Sequence, residues 1–262
     1  EMQQMMGPIT RTSTIFGLEQ ADVTKLMINL MNQYGLKAQD MAYISDVLVG
    51  ALNNTSLQAD EIADSLQYAG LAAASMGWSL EETMAVIDPL VATIGNAQMA
   101  GVYFREMINS MKNPTDEMRE AFAAAGLNID DFAKNSKSAA QFIGWLNKGQ
   151  WNAGLTAKAF GNRADAAAQV MLRQEVPAIQ QATKEIWVYG SALKNAEQKM
   201  LTVQGRKQQL VAAWKNLLAV IGGRSEGFLA NVIGTLTILL GIIEKYVSAW
   251  LDAHKRTGAA FV

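Results

Sequence analysis

The sequence predicts an all-α protein in which a multi-helix compact core region is followed by a long heptad-patterned helical rod and an apolar C-terminal helix. Apolar residues recur with helical spacing, and no convincing run alternates in the manner of a half-buried strand. Only four of the 262 residues are proline, which permits long uninterrupted helices. Hydrophobic residues make up 50% of the chain, which is enough to build a sizeable core.

The predicted core region covers residues 1–175, and its first part contains four helices. Three of them are expected over about residues 20–34, 38–52 and 57–75. A fourth begins after Ser79, whose hydroxyl can accept the backbone N–H of Glu82 while the Glu82 carboxylate accepts the N–H of Ser79. This reciprocal arrangement is a capping box, a strong signal for a helix start.

The second part of the core region begins with a fifth helix over about residues 98–112. Ala97 and Gly101 lie one turn apart there, which would let a neighbouring backbone come close. Asn113 is expected to cap a sixth helix whose first residue is Pro114. Two shorter helices are predicted around residues 138–147 and 163–175.

After the core region, apolar residues recur at alternating steps of three and four, as in a heptad repeat. A helix over residues 177–221 would be about 65 Å long. Such a helix would either pair with another copy or fold back as a hairpin. The predicted self-association seam consists of Ile179, Ile186, Tyr189, Leu193, Met200, Val203, Leu210, Trp214, Leu217 and Ile221.

A glycine-rich break at residues 222–227 separates the rod from an apolar amphipathic helix over residues 228–256. Its uncharged part, residues 228–243, would be about 24 Å long, shorter than the roughly 30 Å hydrocarbon layer. Apolar transfer of about 3–6 kcal/mol is offset by Glu244 and Lys245 at about 2.5–3.5 kcal/mol each. We therefore expect a packed helix that enters lipid only after a conformational change or with several copies. Its predicted membrane- or partner-contacting residues are Leu229, Ile233, Leu236, Leu240, Ile243, Val247 and Trp250.

Charge is distributed unevenly along the chain. Residues 1–183 carry a net charge of −7 and residues 184–262 a net charge of +5. The basic residues are spread along the predicted helical arm, without the cluster and interleaved aromatic side chains of a nucleic-acid site. We expect no specific nucleic-acid site.

The composition leaves little for catalysis. The chain has no cysteine and one histidine, His254, so it lacks the residues for a Cys/His pair or an ordinary zinc site. We expect no catalytic residues, no metal and no cofactor, although an all-α enzyme and a membrane-active helical module remain alternatives. The acidic pairs are expected to stabilise helix N-termini. These pairs are Asp60/Glu61, Glu81/Glu82, Asp116/Glu117 and Asp130/Asp131.

Several motifs follow one another between about residues 17 and 172. They are YGLKAQDMAYISDVLVGALNNTSLQADEIADSLQYAG, AAASMGWSLEETMAVIDPLVATIGNAQMAGVYFREMINSMKNPTDEMREAFAAAGLNIDDF and KAFGNRADAAAQVML. They include a helix with a central Asp, a polar Asn/Thr turn, a small-residue AG helix and a late FG. In this order the chain resembles the conserved core region of phage tail tape measure proteins. It departs from that family at Gly101-Val102, where a Gly-Thr pair is usual, and at NIDDFAKNSKS, where the usual turn is longer.

The resemblance implies a structural protein in the lumen of the virion tail tube, assembled in the bacterial cytoplasm. It implies a template for tail length during assembly and release toward the host envelope during DNA ejection. The implied partners are other copies of the chain, tail tube and tail tip or baseplate proteins, tail assembly chaperones and, on ejection, the host membrane. Because the sequence begins at Glu1 without an initiator methionine, we also expect a segment of a longer chain.

Overall fold

The computed structural model describes residues 2–201, and every regular element in this range is helical, which confirms the all-α prediction for this part of the chain. The remainder of the predicted rod and the apolar helix at 228–256 lie outside the described residues. The α-helices are α1 Met2–Phe16, α2 Gln20–Gln33, α3 Met41–Asn54, α4 Ala59–Ala74, α5 Leu80–Ile94, α6 Ala97–Lys112, α7 Asp116–Ala124, α8 Phe132–Asn135, α9 Ala139–Leu146, α10 Ala153–Leu172, α11 Val176–Ile186 and α12 Ser191–Leu201. Short 3-10 turns precede α3 and α8, at Ala38–Asp40 and Ile129–Asp131.

The predicted capping box at the start of α5 is confirmed. The Ser79 hydroxyl accepts the N–H of Glu82 at 3.2 Å, and the Glu82 carboxylate accepts the N–H of Ser79 at 2.9 Å. The second Glu82 oxygen accepts the N–H of Ala139, the first residue of α9, at 3.3 Å. One carboxylate therefore satisfies backbone donors at the N-termini of two helices.

The start of α7 differs from the prediction. Its cap is Thr115, whose hydroxyl accepts the N–H of Met118 at 3.2 Å. Asn113 instead closes α6, because its own N–H reaches back to the carbonyls of Asn109 and Ser110. The prediction placed the helix start two residues early, since the last turn of α6 already uses Asn113.

Two further helices differ from the prediction, since α1 was not predicted and α10 was predicted only in part. The helix α1 runs through Pro8, a residue that normally discourages a helix interior. The helix α10 begins ten residues before the predicted helix at 163–175, and it is interrupted at Gly161 with φ 66° and ψ 177°. That backbone region is essentially restricted to glycine, so Gly161 makes a sharp turn beside buried Phe160.

The most extensive helix contact joins α4 and α6. A Cβ atom on Gly101 would lie 2.4 Å from the carbonyl oxygen of Ser65 and 3.2 Å from the Cβ of Tyr68. Only glycine leaves room for the two backbones at this distance, which confirms the predicted close approach around Ala97 and Gly101. The Gln98 amide donates to the Tyr68 hydroxyl at 2.9 Å beside the same crossing.

An aromatic cluster joins the helices from α6 to α10. Phe122 is its centre, with the rings of Trp145, Trp151 and Phe160 at centroid distances of 5.7, 4.8 and 5.7 Å. The cluster continues through Phe132, Phe142, Trp78 and Phe104. Such contacts contribute about 0.5–1.5 kcal/mol per pair beyond area burial, and here they join helices that are distant in sequence.

Helix α3 lies at the centre of the opposite part of the fold. Its residues from 44 to 51 are all buried, with α1, α11 and α12 packed against it. The buried hydroxyls of Thr12 on α1 and Ser45 on α3 share a hydrogen bond of 2.7 Å. Because α11 and α12 both contact this core, the packed helices continue through Leu201, and we call them the compact region.

Replacing Gly101 with alanine is expected to lower the free energy of unfolding by about 1–3 kcal/mol, because the new methyl group would meet the Ser65 carbonyl and force α4 and α6 apart. Urea denaturation measures the change. Gly144→Ala is the matched control, since its Cβ would meet only a methyl group of Val176, at 3.2 Å. Equal stability of the Gly101→Ala and wild-type chains would contradict the close approach.

Candidate functional site: a helix break held by one face of α3

The chain from Val176 to Leu201 forms two helices with a break between them. The first helix ends at Ile186, and the second begins at Ser191 after Gly190 adopts a left-handed φ of 74°. The prediction of one uninterrupted helix over residues 177–221 is therefore wrong at residues 187–190. The remainder of that range, after residue 201, lies outside the described residues.

Side chains of α3 satisfy the backbone groups that the break leaves without helical partners. A helix end exposes carbonyl groups at its C-terminus and N–H groups at its N-terminus. At the end of α11, the Asn54 amide donates to the carbonyl of Glu185 at 2.9 Å. At the start of α12, the Asp46 carboxylate accepts the N–H of Gly190 at 2.8 Å and that of Ala192 at 2.9 Å.

Asp46 is buried, with 5% of its surface exposed. No lysine or arginine forms an ion pair with it within the described part of the chain. Its charge is instead compensated by two backbone N–H groups at a helix N-terminus, where the helix dipole favours an anion. The Ser191 hydroxyl adds a hydrogen bond to the carbonyl of Asp46 at 3.1 Å.

Gly50 completes this arrangement. A Cβ atom at this position would lie 1.6 Å from the carbonyl oxygen of Ile186, so any side chain would displace the end of α11. Asp46, Gly50 and Asn54 follow one another at steps of four and therefore lie on one side of α3. We call these three residues the α3 docking face.

The residues of the predicted seam are divided between core and surface at the break. Ile179 and Ile186 are buried in the compact region, whereas Tyr189 is 88% and Leu193 50% exposed. The other predicted contact residues lie outside the described part of the chain. They are the Met200 side chain, the later seam residues Val203, Leu210, Trp214, Leu217 and Ile221, and the whole second set from Leu229 to Trp250. Self-association through them stays a prediction.

The break also places apolar side chains in water. Trp187 is 47% exposed and Val188 is 52% exposed. The Trp187 ring contacts that of Tyr43 on α3, with ring centroids 6.4 Å apart in an edge-on arrangement. The Tyr43 hydroxyl in turn donates to the carboxylate of Glu81 on α5.

The acidic pairs lie in the first turns of helices. This is the position from which they were predicted to stabilise helix N-termini. Glu61, for example, accepts the N–H of Gln58 at 2.8 Å at the start of α4. Asp130 and Asp131 make ion pairs with Arg119 and Lys134. Among residues 2–201 no group of three or more metal-ligating side chains is gathered, and no helix in that range is long and apolar enough to cross a membrane.

The sequence alone did not identify the α3 docking face. Its signal is a charged residue inside an apolar helix, ISDVLVGALNN, where Asp46 corresponds to the central Asp of the motif order described above. A charged group at such a position needs a buried partner. The partners are backbone amides more than 140 residues later in the chain, and a side-chain pattern does not reveal backbone donors.

Comparison with known proteins agrees with the sequence motifs. Residues 1–161 match the family described as phage-related minor tail protein. The tape measure protein of Pneumococcus phage Dp-1 is 22% identical over 249 residues, covering 92% of this chain and 22% of that protein. The probable tape measure protein of Escherichia phage P2 is 29% identical over 112 residues, or 43% of this chain and 14% of that protein.

These matches confirm the resemblance to phage tail tape measure proteins. The chain spans less than a quarter of the length of either relative. No solved structure matches it.

Two tyrosines that contact α5 are held in their neutral form. Burial, followed by the hydrogen bond to Glu81 and its charge, raises the pKa of Tyr43 well above its ordinary value. Burial likewise raises the pKa of Tyr34, whose hydroxyl donates to that of Thr83 at 2.8 Å. The two side chains link the end of α2 and helix α3 to α5.

The free energy of unfolding is expected to fall as pH rises above about 10, because the unfolded chain loses these two protons there and the folded chain keeps them. The upper limit is about 1.4 kcal/mol per pH unit for each tyrosine, and water at the part-buried rings lowers it. Urea unfolding between pH 9 and 11 measures the slope. The double variant Tyr34→Phe, Tyr43→Phe should flatten it, and Tyr189→Phe should not. An unchanged slope in the double variant would contradict the assignment.

Proposed function

This chain belongs to the phage-related minor tail protein family, and we propose that it is a segment of a tape measure protein, lying in the lumen of the tail tube. The similarity to the Dp-1 tape measure protein over 92% of the chain is the observation that carries the proposal. It extends well beyond residue 161, where the family match ends, and so includes the heptad-patterned residues.

Within this role we assign different tasks to different parts of the chain. The compact region forms a folded unit, and the heptad-patterned residues after Leu201, the glycine-rich break at 222–227 and the apolar helix at 228–256 form an extended arm. A helix suits a ruler because each residue adds a fixed rise of about 1.5 Å. Tube subunits would assemble around the arm until its length is covered. None of these tasks requires catalysis.

The proposed partners follow from this position. Other copies of the chain would pair along the heptad seam, because an apolar stripe on a long helix needs a partner to cover it. Tail tube and tail tip or baseplate proteins would surround the chain, and tail assembly chaperones would hold it before assembly in the host cytoplasm. During DNA ejection the chain would leave the tube toward the host envelope, where the apolar helix can meet the membrane.

Lengthening the proposed arm should lengthen the tail. In the phage that encodes this chain, duplication of residues 194–221 adds 28 residues, which should extend the tail by about 42 Å if they are helical. Electron microscopy of purified particles measures the change. A flexible Gly/Ser insertion of equal size between α6 and α7 is the control and should leave tail length unchanged. Equal tail lengths for the duplication and the wild type would overturn the ruler role.

The seam and the apolar helix can be tested on the 262-residue chain in solution. Sedimentation equilibrium should give a mass above 28.4 kDa that falls in the double variant Leu210→Glu, Leu217→Glu, since charges disrupt an apolar seam. Gln209→Glu, off the seam, should not change this mass.

The apolar helix is tested by mixing the chain with anionic vesicles, to which the chain should remain unbound. A monomer that floats with the vesicles would instead support a membrane-active module.

A further inference from the structure

We propose that the break at Trp187–Gly190 is a hinge held closed by Asp46, and that its release lets residues 176–201 form one helix carrying the chain away from the compact region. Closed, α12 packs against α1 and α3. Open, α12 continues the axis of α11, which remains in the core through buried Ile179 and Ile186. The two states use the same sequence and differ only in the backbone of the break.

The sequence supports a helix through the break. The apolar steps of three and four run from Ile179 through Ile186, Tyr189 and Leu193 without losing phase. The apolar residues before and after the break form one continuous stripe only if residues 187–190 are helical. A non-helical segment would rotate the residues that follow it out of that stripe. After Pro177 the chain contains no proline, so no residue in this range prevents a continuous helix.

Asp46 is a main attachment of α12 in the closed state. Among the α12 side chains that the structure describes, the buried apolar ones are those of Ala192 and Ala196, which contribute little apolar area, whereas Leu193 is 50% exposed. The charge-assisted hydrogen bonds of Asp46 to Gly190 and Ala192 therefore provide much of the specific attachment. Removing one carboxylate releases both contacts together.

In the closed state the backbone of the break is not helical, since Gly190 is held at φ 74°. Trp187, Val188 and Tyr189 lie there with 47%, 52% and 88% of their surfaces exposed. In a straight helix the N–H of Gly190 would bond to the carbonyl of Ile186 and would no longer need Asp46. The break thus exchanges ordinary helical hydrogen bonds for contacts with the α3 docking face.

The test uses spin-label distances in the full chain, which contains no cysteine of its own. One labelled pair is Asn53→Cys with Gln198→Cys, two positions that line the same groove between α3 and α12. The second pair is Gln180→Cys with Gln198→Cys, which would be about 27 Å apart along a straight helix. The first distance reports release, and the second separates straightening from simple fraying of α12.

Asp46→Ala and Gly190→Ala are each expected to raise the released fraction about 5- to 30-fold, because each change removes roughly 1–2 kcal/mol from the closed state. In the released molecules the second pair should show a narrow distance near about 27 Å. Asp46→Asn, which keeps the side-chain shape, should give an intermediate fraction.

Gly95→Ala is the matched control, because Gly95 has the same φ of 74° and ends α5 far along the chain from the break. It should lower overall stability without changing either distance. Unchanged 53–198 distances in both Asp46→Ala and Gly190→Ala would overturn the hinge. So would a broad 180–198 distribution, which means that α12 unfolds. The measurement needs no phage particle, so its failure would leave the tail role untouched.

Discussion

The C-terminal end of the described region depends on one buried carboxylate. Asp46 can be charged among helices only if hydrogen bonds replace the water that it loses. The amides of Gly190 and Ala192 need acceptors because the helix break leaves them without carbonyl partners. The Asp46 carboxylate accepts the N–H of Gly190 at 2.8 Å and that of Ala192 at 2.9 Å, so each group supplies the partner that the other needs. The position of the break is therefore tied to the position of Asp46. The end of α11 and the direction of α12 follow from that pairing.

Two glycines allow close backbone contact, one at the break and the other at the crossing of α4 and α6. Gly50 lets the Ile186 carbonyl reach the surface of α3, and Gly101 lets α6 reach the Ser65 carbonyl of α4. In both places the absence of a side chain brings a helix near enough for its neighbours to hydrogen-bond, as Asn54 does on α3. Because backbone atoms cannot rotate away as a side chain can, these contacts tolerate substitution poorly.

Much of the fold could be predicted from local patterns, and the errors have physical causes. The spans of α2 to α6, the Ser79 capping box and the Gly101 approach depend on nearby residues, and the structure confirms them. The start of α7 was misplaced because Asn113 can either end one helix or begin the next. The helix break escaped prediction because the heptad pattern describes side chains, whereas the break is set by backbone amides bonded to a residue on α3. The docking face was missed for the same reason.

A ruler made of protein measures only the residues that are extended, and this gives the break its importance. As a single straight helix the 200 described residues would span about 300 Å, whereas a compact domain of this size has a radius of gyration of about 16 Å. Residues in the compact region therefore add little to the length of the arm. In the hinge proposed above, Asp46 and Gly190 decide whether α12 belongs to the compact region or to the arm. In the proposed ruler role, a few hydrogen bonds at one face of α3 would then set the boundary between folded unit and ruler in this chain.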